Sequence, residues 1–236
     1  MKPSEDEDIA AARERGWRQL APIDEAFAAG RIDRATWHAK VLDVIEPAYL
    51  AGDNPRAQSG HSGNAAQWRN ARSLLVDTLP DRTGRPITVL DVGCANGHLM
   101  ECWTAWAAEA GHMVEPFGVE ISPALADLAR RRCPHWAHRI WTGNVFDWQP
   151  PRRFDVVRTG LDYIPASERG PYLNHLLAHA VAPCGRLVVG VFNEEADHQE
   201  LEDQVRALGH TVGGRIQRPH RHPKVRYKAF WIDQPA

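Results

Sequence analysis

Between Ile9 and Phe27, apolar residues recur every three or four positions (Ile9, Ala12, Trp17, Leu20, Ile23, Phe27), which predicts a helix stopped at Gly30 and kinked or divided at Gly16 and Pro22. A second helical pattern runs from Asp33 to Leu50 through Trp37, Val41, Leu42, Ile45 and Tyr49, with Pro47 placed to kink or end it. A Gly/Asn/Pro/Ser-rich loop follows from Gly52 to Gly63, and then a helical stripe, Ala65 to Leu79, carries Trp68, Ala71, Leu75 and Leu79. From there the period changes. Short apolar runs of strand type alternate with helical segments: Ile87–Leu90, a helix from His98 towards Gly111, Pro116–Glu120, a helix from Pro123 to about Arg132, His138–Thr142, Phe154–Thr159, a helix from Ser167 to about Val181, Arg186–Phe192 after a Pro183-Cys184-Gly185 turn, and a helix from Asp197 to Leu208. The chain finishes with two strand patterns, Thr211–Gln217 and Val225–Ile232, joined by a Pro/His-rich turn. Alternation of this kind predicts an α/β fold with a parallel sheet, preceded by a small helical region that supplies no strand.

The first strand carries the most information. It ends in an acid, and a small-residue turn then leads directly into a helix: Leu90-Asp91-Val92-Gly93-Cys94-Ala95-Asn96-Gly97-His98. Glycines there admit a ligand without a Cβ in the way, and the helix N–H groups face the same space. An acid at this point suits an ammonium-bearing ligand and is a poor neighbour for a diphosphate. The stretch resembles motif I of the class I S-adenosylmethionine (SAM) dependent methyltransferases through Asp91, Gly93, Ala95 and Gly97, with Ala95 where the family has a middle glycine. Three further segments carry the same resemblance. Glu120 ends the second strand, where a carboxylate accepts from both ribose hydroxyls. Asn144 and Val145 follow the third strand, and the resemblance assigns them the adenine amino group and a ring nitrogen. Thr159 to Tyr163 follow the fourth strand, facing the methyl group. The Asn/Asp-Pro-Pro-Tyr/Phe signature of adenine- and amide-directed members is absent.

The resemblance spans about Ile87 to Asp233. It implies a doubly wound, Rossmann-like sheet of seven strands with an antiparallel last strand, an N-terminal helical cap and loop over residues 1–63, and a SAM-binding domain over 64–236. It further implies SAM as the cofactor, held by Trp68, Arg72, Asp91, Gly93, Cys94, Gly97, Glu120, Ile121, Asn144, Val145 and Thr159. Trp68, Arg69 and Arg72 can equally be a core tryptophan with solvated arginines, and the cap can equally be a packing appendage or a dimer contact. For an acceptor hydroxyl, His61, Asp162 or Tyr163 is placed to supply or orient a base.

Composition narrows the function classes. At 236 residues, 43% hydrophobic and 25% charged, the chain supports one α/β domain with an appendage. No apolar run approaches membrane-span length and the start is acidic, so a soluble cytoplasmic protein without a membrane partner is expected. The four cysteines form no C-x-x-C pair, and His175 with His179 lacks a third ligand, so neither disulfides nor a metal is expected. A net charge of −2 argues against a nucleic-acid partner, although Arg215, Arg218, Arg221, Lys224, Arg226 and Lys228 make a basic C-terminal run. That run fits a solvated hairpin face, an acidic small molecule, or a weak nucleic-acid contact. The expected function is methyl transfer to an O or N atom of a small molecule, such as a natural-product intermediate, by a monomer or homodimer. The alternatives are a catalytically silent SAM-fold module that binds a protein or RNA, and a nicotinamide-dependent oxidoreductase.

Overall fold

The computed structural model describes residues 19–61, 63–81, 84–195, 199–220 and 225–236. The part of the predicted Ile9–Phe27 helix before residue 19, which includes Gly16 and Trp17, therefore lies outside the described residues, as do Arg221 and Lys224. Residues 19–28 form α1, which runs through Pro22. Asp33 caps α2 (Arg34–Leu50) by accepting the Thr36 N–H at 2.8 Å, and the helix continues past Pro47. In α3 (Ala65–Arg72), Asn64 and Gln67 form a reciprocal capping box.

The expected single helix to Leu79 is corrected here: from Ser73 to Thr78 the chain tightens into a 3₁₀ turn. Leu74, Leu75, Val76 and Thr78 are all buried, a nearly continuous run that a 3.6-residue period would partly expose. The Thr78 hydroxyl donates to the Leu75 carbonyl at 2.7 Å, consistent with the tighter winding.

The sheet has strands β1 (Ile87–Val92), β2 (Val114–Glu120), β3 (Ile140–Thr142), β4 (Phe154–Thr159), β5 (Val181–Glu195), β6 (Gly214–Pro219) and β7 (Val225–Asp233), in the order β3-β2-β1-β4-β5-β7-β6. Helices α4 (His98–Glu109), α5 (Pro123–Arg132), α6 (Arg169–His179) and α7 (Glu200–Ala207) connect them. The first five strands are parallel and β7 is antiparallel to both neighbours. Alternate residues feed two cores. Val89, Val156 and Val188 pack with Trp68, Leu74, Leu99 and Trp103, while Leu90, Val157, Leu187 and Phe230 pack with Tyr172, Leu173 and Leu176.

Two further expectations change. The Pro183-Cys184-Gly185 turn lies within β5 as an irregularity: pairing with β4 jumps from Phe154↔Val181 to Val156↔Arg186, and Cys184 adopts φ +54°. Nor do the described basic residues of the hairpin form one solvated face. Arg218 bonds Asp77 at 2.7 Å, and Lys228 is fully buried against Glu202 of α7. Among the described residues, no helix is long and apolar enough to cross a membrane.

Asp155 fixes the N-terminal edge of the sheet. Its buried carboxylate accepts two bonds from Arg85 at 2.7 Å each and, at 3.0 Å, the N–H and hydroxyl of Thr88. The opposite, C-terminal edge is left to the turn after β1 and the loops that follow β2, β3 and β4.

Candidate cofactor and acceptor site

At that edge the turn after β1 is held by β2: Gly93 N–H and Cys94 N–H both donate to the Val119 carbonyl, at 2.8 and 3.2 Å. Gly93 has φ +73°, and a Cβ built there would meet no atom within 4 Å, so its outer side faces open space. Ala95, the residue in place of a glycine, still adopts φ +46°, and its N–H donates to Glu120 at 2.8 Å. Glu120 also accepts the Ser122 N–H at 3.0 Å. Burial pushes the Glu120 carboxyl up, and these N–H bonds oppose the shift. Ile121 is half-buried beside it, and Gly97 caps α4.

Asp91 is paired in register with Arg158 of the neighbouring strand. Its Oδ1 accepts from Arg158 at 3.1 Å, whereas its Oδ2 is buried with no hydrogen-bond partner. Burial raises this carboxyl, against the pull of Arg158 and Arg72. Arg72 is itself buried, its guanidinium 4.8 Å from the Trp68 ring, and burial followed by Arg158 brings its pKa down to about 9. Arg158 was not singled out in the sequence, although a cation ending an apolar strand was a readable signal.

Some expected contacts are placed otherwise. Trp68 is a core residue, its indole N–H on Cys102 Sγ at 3.3 Å and its ring stacked on His98, so it supports Arg72 and does not line the edge. Arg69 is at the surface, paired with Glu109. The Thr159 hydroxyl bonds Tyr172 at 2.6 Å, which leaves only its backbone for a ligand. His61 packs edge-on against Trp68, and burial together with Arg72, Arg56 and His220 pushes its pKa down to about 4. Asp162 and Tyr163 are recessed yet open to water, and burial raises both.

Helix α2 crosses these loops. Glu46 accepts from the Ser122 hydroxyl, His38 meets Asn144 at 3.2 Å, the Tyr49 and Tyr163 hydroxyls are 3.0 Å apart, and Arg34 bonds Glu168 at 3.1 Å. The loop before α3 docks on the turn as well: Asn96 accepts from Ser59 at 2.6 Å and donates to the Pro55 carbonyl at 3.0 Å. Within that loop Gly60 has φ +75°, and a Cβ there would lie 2.1 Å from the Tyr49 hydroxyl oxygen. Gly60→Ala is therefore expected to cost about 1–3 kcal/mol in chemical denaturation, and less in a Tyr49→Ala background, which removes the ring atoms as well.

Val145, after Asn144, is buried. A surface depression of about 350 Å³ lies between Asn64, Gln67, Asn70, His220 and Tyr227; its lining shares no residue with the glycine turn, so we give it no part in cofactor binding. Among the described residues, no three His, Cys, Asp or Glu side chains are grouped to hold a metal ion.

The profile of the methyltransferase-domain family matches residues 65–225. A comparison against curated proteins finds no match. Among solved structures, the chain is similar to the 1,6-didemethyltoxoflavin-N1-methyltransferase of Burkholderia thailandensis, with TM-score 0.63, 17% identity, and coverage of 87% of this chain and 92% of that one. It is also similar to the N-methyltransferase NodS of Bradyrhizobium japonicum WM9, with TM-score 0.53, 18% identity and coverage of 82% and 98%. A third similar structure is the magnesium protoporphyrin IX methyltransferase of Synechocystis PCC 6803, with TM-score 0.54, 16% identity and coverage of 80% and 94%. At these identities the likeness is one of fold, which many chemistries share. The family match spans most of the chain, and with it the protein belongs to the methyltransferase-domain family, the class I SAM-dependent methyltransferases.

Proposed function

We propose that this enzyme transfers the methyl group of SAM to a nitrogen or oxygen atom of a small molecule, with a nitrogen of a natural-product intermediate favoured. The observation that carries the cofactor assignment is the buried, unpartnered Oδ2 of Asp91 beside the open side of Gly93. A buried carboxylate oxygen without a partner is costly, and an ammonium group supplies the missing donor. In this reading Asp91 orients the amino group of the cofactor and Arg72 its carboxylate. The backbone of Gly93, Cys94, Gly97 and Thr159 lies along the chain of the ligand, Glu120 accepts from the ribose hydroxyls, and Ile121, Asn144 and Val145 meet the base.

When bound, SAM supplies an electrophilic methyl group on a sulfonium. The protein's task is then alignment and exclusion of water. The cap and loop, residues 1–63, perform the exclusion through α2, while Tyr49 and Tyr163 bound the acceptor. Both phenols are raised by burial and stay protonated near neutrality, so they donate or accept hydrogen bonds without acting as phenolate bases. His61, with a pKa of about 4 and packed on Trp68, is a weak base at neutral pH, and we assign it no proton transfer. Asp162 is left to take up a proton. Weak bases suit a nitrogen that is already nucleophilic, and two of the similar structures are N-methyltransferases by name.

The test is calorimetric titration with S-adenosylhomocysteine and, separately, NADH. Binding of the former by wild type, its loss in Asp91→Ala, and no heat from NADH support the reading; the reverse pattern sinks it. A pH dependence follows as well. Asp91 and Glu120 titrate higher in the folded chain than unfolded, so their favourable contribution is present at low pH and is lost as pH rises through the raised values. A ligand ammonium offsets the charged Asp91. The rise in melting temperature produced by S-adenosylhomocysteine is therefore expected to grow from pH 4 towards pH 7, and to grow less in Asp91→Asn.

A further inference from the structure

Where α2 passes the loop after β3, His38 is the side chain that meets Asn144. Both ends of the Asn144 carboxamide are engaged: Oδ1 accepts the Phe146 N–H at 3.1 Å, and Nδ2 lies 3.2 Å from His38 Nδ1. A backbone N–H requires an acceptor, so the Phe146 bond identifies the carbonyl end of the amide. Nδ2 is then the donor, and His38 Nδ1 is an acceptor whose ring proton is on Nε2. The imidazole is fixed by ring contacts, its centroid 5.1 Å from Trp37 and 5.8 Å from Phe146.

We propose that His38 is a positioning residue which keeps the Asn144 amide from flipping and thereby sets the preference of the site for a 6-aminopurine over a 6-oxopurine. The inference rests on the reading that Asn144 meets the base of the cofactor. A carbonyl oxygen has two lone pairs, so Oδ1 accepts from Phe146 and still offers an acceptor to an exocyclic amino group. A flipped amide would present its own N–H donors to that amino group, and a 6-oxo base would set oxygen against oxygen. Protonated His38 donates from Nδ1 and cannot receive Nδ2, so the proton acts as the release. The charged groups that face the ring are Arg34 on α2, Asp147 on the loop after β3, and Glu168 ahead of α6. Burial lowers the imidazole below its ordinary value and the Arg34 charge adds to this, while a hydrogen bond to the Arg34 backbone and the charges of Asp147 and Glu168 oppose the shift. The neutral, accepting form is thus the one present at neutral pH.

The experiment compares S-adenosylhomocysteine with S-inosylhomocysteine by calorimetry from pH 8 to pH 5 and reads the ratio of their affinities, which cancels any general loss of binding. Wild type is expected to prefer the adenosyl ligand at pH 8, with the ratio falling about fivefold as His38 takes up its proton, the worth of one hydrogen bond. His38→Phe is expected to show the lowered ratio at every pH. His38→Asn, whose Oδ1 stands where Nδ1 was, is expected to restore the ratio and remove its pH dependence. A wild-type ratio that does not change with pH overturns the proposal without any substitution that might perturb folding. So does a His38→Phe ratio equal to wild type at pH 8 while Asn144→Ala loses the preference. If Asn144→Ala keeps the preference, the assignment of Asn144 to the base has failed. If wild type binds neither ligand, the cofactor site itself has failed.

Discussion

Glu120→Ala is expected to weaken S-adenosylhomocysteine binding by about 100-fold or more, the worth of two hydrogen bonds to a charged acceptor. Glu120 stands at the tip of β2 with both oxygens already oriented by backbone donors, Ala95 N–H on one and Ser122 N–H on the other. These bonds use one lone pair on each oxygen and leave others for a diol. They also hold the side chain in a single rotamer, so little ordering remains when a ligand arrives. Alanine removes the acceptor and strands both N–H groups, so the variant is also expected to melt at a lower temperature; titration below that temperature separates the two effects. An affinity within threefold of wild type in a folded Glu120→Ala protein would remove Glu120 from the site.

Glu202→Ala is expected to destabilise the fold by about 3–5 kcal/mol, a fall in melting temperature on the order of 10 °C for a chain of this size. Glu202 and Lys228 are both fully buried and bonded to each other, with the ammonium 5.7 Å from the Phe230 ring. Removing the carboxylate takes from a buried ammonium the Glu202 partner it is bonded to. The Glu202→Leu, Lys228→Met double variant removes both charges and fills the space, and is expected to melt within a few degrees of wild type or above it. A Glu202→Ala protein that melts within about 2 °C of wild type would show that other groups carry the charge of Lys228.

These two residues mark how far the sequence could be read. Glu120 was legible because the signal is local: an apolar strand ends in an acid, and Ser122-Pro123 opens a helix just after it. The same holds for Asp91 and the glycine turn, and for the order of strands and helices. Lys228 was not legible. A lysine in a strand beside other cations suggests a solvated face, and its partner is 26 residues earlier on a helix whose packing no periodicity reveals. The 3₁₀ turn at Ser73–Thr78 and the interruption in β5 were missed for a similar reason, since each is decided by what surrounds the segment. At the candidate site, the sequence singled out the residues at the strand ends and did not single out those that reach them from α2. Tyr49 was noted as one apolar position of a helix, with nothing in the spacing to bring its hydroxyl to Tyr163.

The ties made by α2 also bear on how the chain is born. Glu46, His38, Tyr49 and Arg34 find their partners 76, 106, 114 and 134 residues further along the sequence. At ribosomal speeds of roughly 5–20 residues per second, the last of these partners emerges on the order of ten seconds after the helix does. For that interval the helix has only its sequence neighbours to pack on, Trp37 against Asp24 and Phe27 of α1 and Tyr49 against Gly60, and it lacks its partners on the sheet loops. During synthesis these ties are therefore among the last contacts to form. If α2 covers the site as proposed, the element that docks last is also the one expected to open for ligand exchange.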